Sequence, residues 1–169
     1  MNKFGKASAR NIATVHSILQ TLAYRTLEKV STKHSWIDMT VLKSGGLRTA
    51  MEQNALFKEN PPKTSLDGYS KKSYHQSGLA IDLVPYLSGR ADWSNAEAFL
   101  LIAEAGLEVW EEMKEEGQTS IYFLHWGGYW KAKDLNDNGL LDIDDKQGWD
   151  RPHWELRTYE QERGVMPIW

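Results

Sequence analysis

Apolar residues near the start of the chain recur at helical spacing. Ile12, Val15, Ile18, Leu19 and Leu22, then Leu27 and Val30, place one apolar stripe on a helix over residues 8–31, broken near its end. His16 lies beside that stripe, where a core or boundary histidine is the ordinary reading. The period then changes. Ile37, Met39 and Val41 alternate with polar neighbours, the pattern of a half-buried strand. Ser44, Gly45 and Gly46 turn the chain, and Leu47, Arg48 and Thr49 lead into a short helix through Leu56 and Phe57. Asn60, Pro61 and Pro62 end that helix.

A polar loop over residues 61–72 delivers the chain to a second strand, Leu79 to Leu87. Ser94 with Glu97 three residues later has the form of a capping box. The helix it opens runs to about Gly117 and buries Phe99, Ile102, Ala103, Val109, Trp110 and Met113. Gly106 falls on this stripe and would permit close packing on a sheet. Glu111, Glu112, Glu115 and Glu116 read as a solvated end. Ile121 to Trp126 forms a third strand closed by Gly127 and Gly128, and His153 to Leu156 a last one. Helices packed on one face of a small, mostly antiparallel sheet satisfy this order, so the expected class is α+β in a single domain, residues 1–169.

Composition narrows the chemistry. With 169 residues, 41% hydrophobic and 25% charged, the chain is an ordinary globular sequence. It has no cysteine, which excludes disulfides and thiolate metal sites and suits a reducing cytoplasm. No basic stripe suggests nucleic acid, and no apolar run suggests a signal peptide or a membrane span. Of eight tryptophans, five (Trp126, Trp130, Trp149, Trp154 and Trp169) lie in the last third, where most should pack and several could line a groove. Residues 134–146 hold five aspartates against one lysine, so this stretch alone more than accounts for the net charge of −3. The acidity is local and argues for a cation site there.

Two stretches carry candidate chemistry. Ser73 to Asp82 brackets a glycine and an alternating apolar run with His75 and Asp82; Trp149 to Glu155 supplies His153 with acids on either side. Two histidines and an aspartate can hold a catalytic zinc with one open position. Each of these residues also has a plain structural reading, and spacing alone does not separate the two. A general base beside the metal would be Asp150 or, by strand alternation, Glu155.

The motifs together resemble a known family. Ser73, His75, Gly78, Ala80 and Asp82, followed by Asp150, Pro152, His153 and Glu155, are similar to the zinc D-Ala-D-Ala carboxypeptidase family. That family includes VanX/VanY-like enzymes and phage L-alanyl-D-glutamate endolysins. Ser44 to Thr49 with Gln53, and Trp126 to Trp130, resemble two further family segments, although Leu47 is an extra residue before Arg48. The resemblance spans about residues 12–157. It implies the D-Ala-D-Ala carboxypeptidase/hedgehog-like fold, zinc ligands His75, Asp82 and His153, and Asp150 as base and proton shuttle. Arg48 would stabilise the developing oxyanion or hold a substrate carboxylate.

The implied reaction is hydrolysis of a stem-peptide bond in peptidoglycan, first an L-alanyl-D-glutamate endopeptidase. The alternatives are a D-Ala-D-Ala carboxypeptidase or dipeptidase, or a non-catalytic wall-binding module. A monomer that accumulates in the host cytoplasm and reaches the wall with other lysis proteins is the matching expectation.

The acidic stretch resembles a twelve-residue EF-hand calcium loop. Asp134, Asn136, Asn138 and Asp142 occupy positions 1, 3, 5 and 9, and Gly139 position 6. Leu140 holds the backbone-carbonyl position 7 and Asp145 closes the loop at position 12. Aspartate replaces the usual glutamate at the last position, and no long helix flanks the loop. The expectation is a calcium loop placed before Asp150 and His153, where ordering it would set both residues, as in calcium-regulated phage endolysins of the resembled family.

Overall fold

The computed structural model describes residues 2–133, 135 and 145–158. Helices α1 (Lys6–Ile12) and α2 (Ser17–Lys33) open the chain, followed by strand β1 (Met39–Thr40) and helix α3 (Ala50–Phe57). Strands β2 (Ala80–Asp82), β3 (Val84–Leu87) and β4 (Arg90–Ala91) come next. Helix α4 (Ala96–Glu115), strand β5 (Tyr122–Trp126) and strand β6 (His153–Thr158) complete the order. Two three-stranded antiparallel sheets result, ordered β1-β3-β4 and β2-β6-β5. The class is α+β, as expected.

Three local expectations give way. The N-terminal helix breaks early, over residues 13–16, because His16 caps α2: its Nδ1 accepts from Ile18 N–H at 3.3 Å. The run from Leu79 to Leu87 is two strands in two sheets. The chain crosses between them at Leu83, whose N–H donates to the Pro152 carbonyl at 2.8 Å while its side chain stays buried. A continuous apolar run conceals such a switch, since both sheets bury it. The cap of α4 is Asn95, which accepts from Ala98 N–H at 2.9 Å; Ser94 instead donates to Asp92.

The core lies between the α2–α4 pair and the sheets, around Leu19, Leu22, Ile81, Ile102, Val109, Trp154 and Leu156. Gly106 works as expected. A Cβ there would meet the Trp154 ring at 2.7 Å, so the glycine seats α4 directly on β6. Glu112 and Glu116 stay solvated as read, with side chains 41% and 44% exposed, and also form ion pairs. They pair with Arg25 and Lys29 across the helix pair, and Glu108 pairs with Lys29 and Lys33. Among the described residues, no helix is long and apolar enough to cross a membrane.

Candidate active site

His75 is set by a purely local device. Ser73 caps a tight 3-10 turn over Tyr74–Ser77, and Gln76 returns the bond to the Ser73 N–H in a reciprocal box. Gly78 closes the turn at φ 69°, a left-handed conformation that a side chain would strain. The chain then enters β2, which carries Asp82 at its end. Register completes the set: Asp82 lies opposite His153 on β6. Two residues 71 positions apart thereby face each other across one strand pair.

His75 Nε2, Asp82 Oδ1 and His153 Nδ1 form a triangle with every side 3.2 Å. His75, Asp82 and His153 are all buried, and the trio could hold a metal ion. The dimensions fit a tetrahedral ion. Ligands on bonds of about 2.0–2.1 Å stand about 3.3–3.4 Å apart at the tetrahedral angle.

The neighbours fix which ring nitrogen is free. His75 Nδ1 lies 2.9 Å from the Gly46 carbonyl, which can only accept, so the proton sits on Nδ1 and Nε2 presents its lone pair. His153 Nε2 lies 2.9 Å from Glu155 Oε2, which leaves Nδ1 toward the triangle. Glu155 is itself held by Arg157, whose guanidinium also stands over the Tyr74 ring. Glu155 therefore lies behind His153, on the side of the ring away from the triangle.

Electrostatics follow from this packing. Burial opposes ionisation of Asp82, yet His75 and His153 hold its carboxyl well below the usual range. His153 is likewise penalised by burial as a cation, but hydrogen bonds to Asp82 and Glu155 push it up to about 10.

The segment around Ser44 to Arg48 clamps both early ligands. Gly45 lies against Asp82 Cβ, the Gly46 carbonyl accepts from His75 Nδ1–H, and Arg48 N–H donates to the His75 carbonyl. The Arg48 side chain donates to Asp82 Oδ2 at 2.7 Å, to Gln53 Oε1 at 3.3 Å and to the Ser44 carbonyl. Its first contact is thus the outer oxygen of Asp82, which turns Oδ1 inward. Sequence reasoning anticipated Arg48 at the site but not this partner.

Asp150 precedes β6. Its carbonyl accepts from His153 N–H at 3.1 Å, and its backbone presses on Gly127, where any Cβ would meet the Asp150 carbonyl oxygen. Burial raises the Asp150 carboxyl pKa, with His153, Asp82, His75 and Arg48 within electrostatic range. A carboxyl raised in this way beside the His75, Asp82 and His153 triangle suits proton transfer.

Comparison with known proteins identifies the family of the chain. A family model described as phage L-alanyl-D-glutamate peptidase covers residues 1–157. The chain belongs to this family. The L-alanyl-D-glutamate peptidase of Escherichia phage T5 is 35% identical over 130 residues, covering 77% of this chain and 82% of that one. The crystal structure of the Serratia marcescens L-Ala D-Glu endopeptidase ChiX shares the fold. It aligns with a TM-score of 0.57 and 22% identity, over 98% of this chain and 95% of that one.

Within this peptidase-family chain, two features flank the triangle. Trp130 stacks beside His153 with ring centroids 5.2 Å apart, and Trp149 beside Trp130 at 5.7 Å. Of the expected calcium ligands, Asp134, Asn136, Asn138, Leu140 and Asp142 lie outside the described residues. Asp145 is described, and its Oδ1 accepts from Leu135 N–H at 2.7 Å. The stretch is closed at its base by paired backbone bonds between Lys133 and Lys146, at 2.8 and 3.0 Å. From there the chain runs through Gly148, whose N–H donates to the Gly128 carbonyl, to Asp150.

Sequence reasoning missed Glu155 and Arg157 as the support for His153. The signal was present, since alternation puts all three on one face of β6.

Proposed function

We propose that this chain hydrolyses the L-alanyl-D-glutamate bond of peptidoglycan stem peptides, using zinc held by His75, Asp82 and His153. The observation that carries the reading is the 3.2 Å triangle, whose lone pairs are turned inward by Gly46 and Glu155. Membership of the peptidase family supplies the substrate. A zinc ion in such a site acts as a Lewis acid and lowers the pKa of water.

The chain's own residues perform the remaining tasks. Asp150 accepts the proton of the attacking water and delivers it to the leaving amine of D-glutamate, a role its raised pKa suits. Arg48 orients Asp82 and keeps N–H groups for the substrate. Its three side-chain contacts leave two of a guanidinium's five donors, enough to meet a carbonyl oxygen as charge develops on it. Glu155 and Arg157 hold His153 in the required tautomer.

Calcium bound by Asp134, Asn136, Asn138, Leu140, Asp142 and Asp145 orders the stretch that leads to Asp150, and so regulates the enzyme. The closed base at Lys133 and Lys146 supports this reading, because it ties the loop to the segment carrying the acid. The protein acts on the wall as a monomer after release from the host cytoplasm.

Replacing Asp150 with alanine tests the reading. Wall lysis should vanish while bound zinc stays near one equivalent. Full lysis by that variant removes Asp150 as the base. Chelating calcium while zinc is retained tests the regulation, and unchanged turnover would exclude it.

A further inference from the structure

The two tryptophans beside the triangle contribute no ligand atom to it. Trp130 is half-buried against His153, whereas Trp149 is 63% exposed although it is large and apolar. The rings climb from the triangle to solvent in two steps of 5.2 and 5.7 Å, at interplanar angles of 44° and 41°. Trp149 is also the immediate neighbour of Asp150. The inward residue of this pair faces the chemistry, and the outward one presents a bare indole at its rim.

We infer that Trp149, backed by Trp130, is the subsite for the amino-sugar ring that carries the stem peptide. The inference rests on the proposed L-alanyl-D-glutamate specificity, because that choice fixes where the sugar must lie. L-alanine is joined through a lactyl group to carbon 3 of the muramic acid ring. Roughly six covalent bonds separate the scissile carbonyl from the sugar ring, about 7–8 Å when extended. A carbonyl held at the triangle therefore puts the near edge of the sugar beyond the first ring, which lies 5.2 Å from the His153 ring, and within the span of the two steps together, at most about 11 Å.

The chemistry matches as well. A pyranose ring offers an apolar face of C–H groups that packs flat on an indole, while its hydroxyl and acetamido groups remain in water. Trp130 fills the space between, so the Trp149 ring is supported from behind and keeps its orientation. A peptidase cutting far from the sugar, at the terminal D-alanines, would gain nothing from a platform at this spacing.

Binding, not turnover, separates this inference from the reading it rests on. Zinc-loaded protein carrying Asp150→Asn is titrated calorimetrically with N-acetylmuramyl-L-alanyl-D-glutamate and with L-alanyl-D-glutamate. The sugar-bearing ligand should bind about tenfold more tightly, as expected for one well-packed aromatic contact. Adding Trp149→Ala should bring the two ligands to the same affinity, and Trp149→Phe should restore most of the difference. Equal affinities in the Trp149 protein, or a sugar advantage that survives Trp149→Ala, would overturn the subsite. Cleavage of the bond by the unmutated enzyme, measured alongside, reports on the specificity independently. A sugar advantage that depends on Trp149 without cleavage would leave the subsite standing and remove the specificity.

Discussion

His153 and Glu155 are joined by a 2.9 Å hydrogen bond from ring Nε2 to carboxylate Oε2, both side chains being buried on one face of β6. The carboxylate can only accept, so it selects the tautomer that turns Nδ1 toward His75 and Asp82. Removing it frees the ring to flip or to change tautomer. Glu155→Gln should weaken zinc binding about 10- to 100-fold, the usual effect of losing such a partner. Competition against a chelator measures this. Activity at saturating zinc should recover much further than the affinity does.

The proton on His153 competes with metal for Nδ1. Because its pKa is raised to about 10 from an ordinary 6.5, the metal-free protein gains stability that is complete below pH 6.5 and is lost as pH rises through about 10. Thermal melts of metal-free protein should fall across that window. Zinc affinity should move the opposite way, rising about tenfold per pH unit toward pH 10 as the competing proton leaves. Affinity that is flat between pH 7 and 9 would mean that the ring is neutral without metal.

Gly106 lies in the middle of α4, where alanine would ordinarily stabilise by about 1 kcal/mol. Here the added methyl would stand 2.7 Å from the buried Trp154 ring. Overpacking of this kind costs about 1–3 kcal/mol, so Gly106→Ala should be net destabilising. Urea denaturation decides it: a midpoint at or above that of the parent protein would show that Trp154 can yield.

Arg48 and Asp82 share a 2.7 Å ion pair with little exposure on either side. Arg48→Lys keeps the charge but not the fork that also reaches Gln53 and Ser44. It should lower kcat by about tenfold or more with a small change in KM, since the donors lost are those aimed at developing charge. Steady-state kinetics on a soluble stem-peptide substrate check this. A loss confined to KM would instead make Arg48 a ground-state substrate clamp.

Local motifs were legible in the sequence where one short stretch sets its own geometry. His75 and Asp82 bracketing a strand were readable this way, whereas the equally local Ser73–Gln76 box and Gly78 turn that hold His75 emerged only from the structure. The helix over α4 and the close packing at Gly106 were readable from periodicity for the same reason. What else escaped depended on partners far along the chain. The switch of sheets at Leu83 is decided by Pro152, and the pairing of Glu112 and Glu116 by Arg25 and Lys29. Glu155 could be placed on the face of His153, but whether it faced the site or supported the ring depended on Arg157 and on what lay opposite. The early helix break was hidden because Ile12 and Val15 continue the apolar stripe while His16 already caps the next helix.

The most direct measurement is mass spectrometry of the products released from purified peptidoglycan by the zinc-loaded protein, with and without calcium. The expected products are stem peptides that begin with D-glutamate, and glycan strands that retain L-alanine, formed faster with calcium and not at all by Asp150→Ala. Release of terminal D-alanine from otherwise intact stems would contradict the account.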